Sequence, residues 1–374
     1  MKEGIKILCV VGARPNFMKI APIIKALRDH ACFSEPFLVH TGQHYDASMK
    51  HCFFEQLGIP EPDVDLEVGS GSHAVQTAQI MLRFEPVLDD IRPAAVLVVG
   101  DVNSTVACGL VSVKKQYPLI HVEAGLRSYD RAMPEEINRV LTDQISDLLF
   151  TTERGAEQHL LDEGISRERI HFVGNVMIDT LYANLDRAME AVEEVGPGEI
   201  RAILAKRQEF AMATLHRPSN VDDAVTLERL LDALRQASEQ LPIIFPMHPR
   251  THQRIKDAGL CHIIDRPGMV VTHPLGYLEM LGLMARSRLV FTDSGGIQEE
   301  TTALGIPCIT MRENTERPVT VEEGTNTVVG TDREKILRVF ENVLATGGKH
   351  GRVPELWDGK AAPRIAEITA RWFQ

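Results

Sequence analysis

Carboxylates at the ends of apolar runs are the residues of this chain that first suggest chemistry. Asp101 closes AAVLVVGD and Glu123 closes LIHVEAG. Glu135 and Glu136 stand in MPEEINR, where Pro134 and the acidic pair mark a helix start. A carboxylate directly after an apolar run is seldom buried without a partner, so these side chains either do acid–base work or close ion pairs with Arg127 or Arg139. Crowded together they would raise one another's pKa, which suits proton transfer near neutral pH. His216, ending EFAMATLH, is by type a proton shuttle or a phosphate donor, and equally a hydrogen-bonded structural residue.

Two loops read as anion sites. Gly12-Ala13-Arg14-Pro15-Asn16 follows the first apolar run, with Pro15 suited to a first helical turn and Lys19 about one turn further on. The second and third glycines of GxGxxG are missing, which disfavours NAD; Arg14 and Lys19 would have to supply the positive charge, unless they are merely solvated. In Thr292-Asp293-Ser294-Gly295-Gly296, after RLVF, a hydroxyl and free backbone N–H groups gather at a helix start. That is a cradle for a pyrophosphate, or simply a cap with a tight turn. One turn on, Glu300 could accept hydrogen bonds from both hydroxyls of a ribose. Arg317, in the polar loop MRENTERP, is a second candidate phosphate clamp, or pairs with Glu313 or Glu316. The histidines show no H-E-x-x-H or comparable spacing, so no metal is expected.

Groups of this kind need rigid strands behind them, and the chain has the means to build them. Its 374 residues are 44% hydrophobic and 25% charged, enough for a sizeable core and more than one domain usually takes. A net charge of −12 with 5% aromatics argues against a broad nucleic-acid face, so the expected partner is small. No apolar stretch reaches the roughly 18 residues of a membrane-spanning helix, and the opening MKEGIKILCVVGARP lacks a secretory signal, so a cytoplasmic chain is expected. The six cysteines form no CxxC pair and read as reduced thiols.

Short Val/Ile/Leu runs without period-two alternation are how strands buried on both faces of a parallel sheet read. The first half offers IKILCVVG, PFLVHTG, AAVLVVGD, LIHVEAG and DLLFTT, with helical stretches such as FMKIAPIIKALRDH between them. The second repeats the plan with EFAMATLH, PIIFPMHP, MVVTHP, RLVFTDSGG, IPCITM and NTVVG. The expectation is an α/β chain of two doubly wound, Rossmann-like domains, 1–173 and 174–355, with a helix in 356–374 packing back on the first. The ligand would sit in the cleft between strand ends.

Taken together, GARPNFMKIAP, VVGDVNST, HVEAGLRS, PEEINR, TDSGGIQEE and MRENTERP, in this order and spacing, resemble the non-hydrolysing UDP-N-acetylglucosamine 2-epimerases over nearly the whole chain. The resemblance implies a GT-B architecture with the active site in the interdomain cleft and reversible conversion of UDP-N-acetylglucosamine to UDP-N-acetylmannosamine. That conversion would run by elimination and re-addition of UDP, without a cofactor. It further implies a homodimer and a role in supplying surface polysaccharides. By motif, Asp101, Glu123 and Glu135 correspond to the family's acid–base carboxylates, with Arg139 beside them and His216 near the phosphates. Arg14, Lys19, Ser294, Gly295, Glu300 and Arg317 correspond to its UDP contacts.

The sequence departs from the family in three places. His216 is followed by Arg217-Pro218-Ser219 where relatives often have Arg-Arg-Glu, and Leu275 and Met280 replace the Gln and Phe that some carry near the uracil. In the segment that binds a second UDP-sugar in some bacterial members, Gln43 is kept, the second glutamine is absent, and Gln79 stands near where an arginine would fall. A 2-epimerase of a modified UDP-sugar, a hydrolysing epimerase and a GT-B glycosyltransferase share the same cradle. A glycosyltransferase needs an acceptor groove that nothing here marks, and a non-catalytic sensor would have no use for three strand-end carboxylates.

Overall fold

The computed structural model describes residues 4–42, 56–196 and 198–374, with the side chain of Arg14 outside the described set. Two compact units divide the chain: Met1–Tyr182 together with Glu355–Gln374, and Ala183–Pro354. The division falls inside the helix Val176–Ala191.

In the first unit the apolar runs form β1 (Ile7–Val11), β2 (Phe37–His40), β3 (Val64–Asp65), β4 (Ala95–Val99), β5 (Leu119–Ala124), β6 (Leu148–Thr151) and β7 (Ile170–Phe172). They lie in the order β3-β2-β1-β4-β5-β6-β7, every neighbouring pair parallel. Helices cover the sheet, so β1, β4 and β5 are buried along their whole length, which is why their sequences are unbroken apolar runs. Leu8, Val10, Val96 and Val98 pack with Ile80, Phe84 and Leu88 of the helix His73–Ile91. The two-residue β3 and three-residue β7 were not anticipated, since runs that short carry no periodic signal.

The second unit repeats the plan with β8 (Ala211–Thr214), β9 (Ile243–Pro246), β10 (Met269–Thr272), β11 (Leu289–Thr292), β12 (Cys308–Thr310) and β13 (Asn326–Val328), ordered β10-β9-β8-β11-β12-β13 and parallel. Leu227, Leu231, Phe245, Phe291 and Phe340 lie in its core. Both sheets reverse their winding direction at one place, between β1 and β4 and between β8 and β11. At such a switch point the loops leaving the strands splay apart and leave a crevice for a ligand.

The C-terminal segment is tied to the first unit. Asp179 accepts hydrogen bonds from the Ala361 and Ala362 amides (3.0 and 2.7 Å) at the start of the helix Ala361–Trp372, and the buried Trp357 donates to the Thr152 carbonyl (2.9 Å). Cys9, Cys32, Cys108, Cys261 and Cys308 are free; Cys52 lies outside the described residues. Among the described residues no helix is long and apolar enough to cross a membrane.

Candidate active site

The loop after β1 passes directly into the helix Arg14–Asp29, with Pro15 in its first turn. Ala13 stands at the cap position and has no side chain to offer, so the buried Asn16 takes over. Its Oδ1 accepts the Ala13 amide (3.1 Å), while its Nδ2 donates to the Val99 carbonyl (2.8 Å) and ties the helix start to the end of β4. Sequence reasoning passed over Asn16 because its partners are backbone atoms.

Lys19, one turn into that helix, is buried and ion-paired with the buried Glu123. Glu123 occupies the left-handed region (φ +73°) where the pairing of β5 with β6 slips between Val122 and Ala124. A non-glycine residue held there costs on the order of 1–3 kcal/mol, strain that collects at functional sites. The slip turns its side chain out of the regular alternation. Gly100, also left-handed (φ +66°), makes room for the pair: a Cβ there would stand 2.8 Å from Lys19 Nζ and 3.4 Å from Glu123 Oε2.

Asp101 follows Gly100 and is gripped by Arg139 of the helix Pro134–Ile145 through Nε (3.0 Å) and Nη2 (2.7 Å). Arg139 also donates to Glu136 (2.7 Å), and Asn138 donates to the Asp101 carbonyl (2.9 Å). Burial alone would raise Glu136, but the Ser128 and Tyr129 amides and Arg139 hold its carboxyl below the usual range. Glu136 therefore closes the loop, whereas Glu135 is half-buried and has no hydrogen bond or ion pair with another described residue. Of the two arginines offered as partners, Arg139 pairs with Asp101. Arg127 pairs instead with Asp143 and Glu163.

The second unit gathers a different set. His216, just beyond β8, lies with Nδ1 2.9 Å from Asp293 Oδ1, and its backbone amide donates to the same carboxylate (3.0 Å). The Arg217 amide (2.9 Å) donates to it too. Burial opposes ionisation of Asp293, yet His216 and these amides hold its carboxyl below the usual range. With Nδ1 so engaged, Nε2 is the ring atom left for a ligand. Asp293 was inside a quoted motif without a role; its place just beyond the end of β11, beside His216, follows only from the pairing of β8 with β11.

Ser294 caps the helix Gly295–Leu304 by position, but its hydroxyl accepts no capping bond. The hydroxyl and the first-turn amides together suit an anion. One turn on, Glu300 is buried and accepts a hydrogen bond from Tyr277 (3.1 Å), a residue that sequence reasoning also missed. Burial pushes Glu300 up to about 7. Arg317 is buried with Nε 2.8 Å from Glu299, on the helix that also carries Glu300, and its Nη1 donates to the Glu316 carbonyl (3.4 Å). Glu316 receives Arg312 (2.8 Å) and Arg217 (3.2 Å) and lies against Gly295, where a Cβ would meet it at 2.8 Å. Leu275 and Met280 are half-buried, and Gln79 lies half-buried on the helix His73–Ile91; Gln43 is outside the described residues.

Among the described residues, no group of three His, Cys, Asp or Glu is arranged to hold a metal ion. What the first unit assembles is carboxylates with buried cations at the ends of β4 and β5; the second assembles a hydroxyl, a helix start and an oriented histidine at the ends of β8 and β11.

The chain is similar to known proteins in sequence and in fold. The family model described as UDP-N-acetylglucosamine 2-epimerase matches residues 25–370. A UDP-N-acetylglucosamine 2-epimerase of Methanococcus maripaludis is 41% identical over 366 residues, 97% of this chain and 98% of its own. A UDP-2,3-diacetamido-2,3-dideoxy-D-glucuronate 2-epimerase of Pseudomonas aeruginosa is 42% identical over 370 residues, 98% of this chain and 99% of its own. The crystal structure of the Methanocaldococcus jannaschii UDP-GlcNAc 2-epimerase with UDP-GlcNAc and UDP covers 98% of this chain and 100% of its own at 39% identity, with a TM-score of 0.88. The two doubly wound sheets are the GT-B fold of these relatives. The chain belongs to the UDP-N-acetylglucosamine 2-epimerase family, isomerases that act on UDP-sugars.

Proposed function

We propose that the chain interconverts UDP-N-acetylglucosamine and UDP-N-acetylmannosamine by eliminating UDP and adding it back. The sugar C2 has no neighbouring carbonyl, so loss of its proton alone would leave a carbanion with no outlet. Breaking the C1–O bond supplies one: a base takes the C2 proton, that electron pair forms the C1=C2 double bond of 2-acetamidoglucal, and the C1–O pair departs on UDP. In the return step C2 is protonated on the opposite face and a diphosphate oxygen bonds to C1. No electrons are gained or lost, so no redox cofactor is needed.

The two faces of C2 require a base and an acid, for which Asp101, Glu123 and Glu135 are the candidates. His216, Ser294 and the helix start at Gly295, with Arg14 and Arg317, would stabilise the leaving diphosphate; a well-placed donor contributes about 3 kcal/mol to such a step. Glu300 would hold the ribose. The reading requires both sets of residues to engage one nucleotide sugar. The observation that carries it is the pair Asp101 and Glu123 on neighbouring strand ends, each against a buried cation, with Glu123 in a left-handed backbone.

Incubating the protein with UDP-N-acetylglucosamine in heavy water, followed by NMR, should yield UDP-N-acetylmannosamine with deuterium at C2. Free N-acetylmannosamine with UDP would make the enzyme hydrolysing, and product without deuterium would overturn proton transfer at C2. Asp101→Asn and Glu123→Gln should abolish epimerisation while UDP still binds; wild-type turnover in either would overturn the acid–base assignment. The 42% identity to the diacetamido-glucuronate enzyme supports a second reading in substrate alone. Comparing kcat/KM on the two sugars decides between them.

A further inference from the structure

We propose that His121 is a positioning residue that sets the backbone carrying Asp101 and Glu123, an inference that rests on the acid–base reading of those carboxylates. His121 lies on β5 with its side chain wholly buried, and nothing in the proposed chemistry uses it. Its ring joins two turns. Nε2 donates to the Gly100 carbonyl (2.9 Å) and Nδ1 to Asp143 Oδ1 (2.7 Å). Asp143, buried on the helix Pro134–Ile145, accepts the Gly125 amide (3.1 Å) and Arg127 Nη2 (2.7 Å) on Oδ2, and Arg127 continues to Glu163 (2.7 Å).

The Gly100 carbonyl belongs to the peptide unit that also carries the Asp101 amide, and Gly125 lies two residues beyond Glu123. Gly100, Glu123 and Gly125 are all left-handed, with φ of +66°, +73° and +81°. One histidine–aspartate pair thus spans the left-handed turns beside which both carboxylates stand. Burial would favour a neutral Asp143, but His121 and Arg127 hold its carboxyl below the usual range, so the anchor is a charge between donors. A reacting group displaced by about 1 Å loses on the order of a hundredfold in rate, so small rotations of these peptides would be felt in catalysis.

The test compares His121→Asn with His121→Gln. The asparagine amide can still reach Asp143 but not Gly100, whereas the glutamine amide can reach Gly100. His121→Asn should lower kcat at least about tenfold, counted per UDP-binding site so that unfolded protein drops out, with KM and UDP affinity within about twofold of wild type. His121→Gln should recover most of that loss. Equal kcat in the two variants, or a KM that rises and a UDP affinity that falls in step with the loss of kcat, would overturn the proposal. Glu163→Gln, at the half-exposed end of the chain, should lower kcat modestly with UDP affinity unchanged. If neither His121 variant binds UDP and Glu163→Gln turns over like wild type, the network serves folding alone and the proposal fails. Absence of C2 deuterium in wild-type product would instead overturn the reading of the reaction.

Discussion

Nucleotide affinity should rise about tenfold between about pH 6 and about pH 8, and Glu300 should be the group responsible. Burial pushes its carboxyl from 4.5 up to about 7; the hydrogen bond from Tyr277 opposes the rise and the neighbouring Glu299 adds to it. Ribose hydroxyls donate, so a protonated Glu300 offers them fewer acceptors. Ionised Glu300 makes up about a tenth of the free protein at pH 6 and about nine-tenths at pH 8, a ratio worth about 1.4 kcal/mol of binding. Calorimetric titration with UDP-N-acetylglucosamine, which has no terminal phosphate to titrate, should show this rise. Repeating it in buffers of different ionisation heat should show proton release near neutrality. Glu300→Gln should bind with less pH dependence, and the ratio of the two profiles isolates the contribution of this carboxyl. An identical profile in Glu300→Gln, or binding without proton release, would refute the ribose role. The free protein carries the converse signature. A raised folded pKa gives stability that is full below 4.5 and is lost as pH rises through about 7, so its melting temperature should fall over that window more steeply than that of Glu300→Gln.

Asp293→Asn replaces the acceptor of two backbone amides and of the His216 ring, and should cost about 2 kcal/mol in denaturant unfolding and lower kcat. Because the folded pKa of Asp293 lies below 3.8, that contribution is complete above 3.8 and lost as pH falls through the folded value. Gly100→Ala places a Cβ against Lys19 in a left-handed backbone; it should lower stability by about 1 kcal/mol and depress kcat more than UDP affinity, read by thermal melting and steady-state kinetics. Asp179→Ala removes both acceptors at the start of the helix Ala361–Trp372 and should cost about 1–2 kcal/mol, with faster amide exchange in that helix.

The strands and the candidate site residues at their ends were legible because the cause is local. A strand covered on both faces must be apolar throughout, and a polar residue at its carboxyl end then stands out: Asp101, Glu123, His216 and Ser294 were all found in this way. Helix starts at Pro15 and Pro134 were equally local, set by the fixed φ of proline. Asn16, Tyr277 and Asp293 were missed because their roles are defined by backbone atoms and side chains far away in the chain.

Sequence by itself determined that two doubly wound sheets form and that acidic groups belong to one and the serine-glycine cradle to the other. The tertiary structure decided which charges meet. Lys19 went to Glu123 rather than to open solvent, Arg139 to Asp101 and Glu136, and Arg317 to Glu299 on the helix Gly295–Leu304. It also decided that Glu123 would sit in a left-handed turn beside His121 and Gly100. Burial along a strand is written in consecutive residues, whereas the partner of a side chain depends on the register of parallel neighbours and on loops that meet only once the sheet has formed.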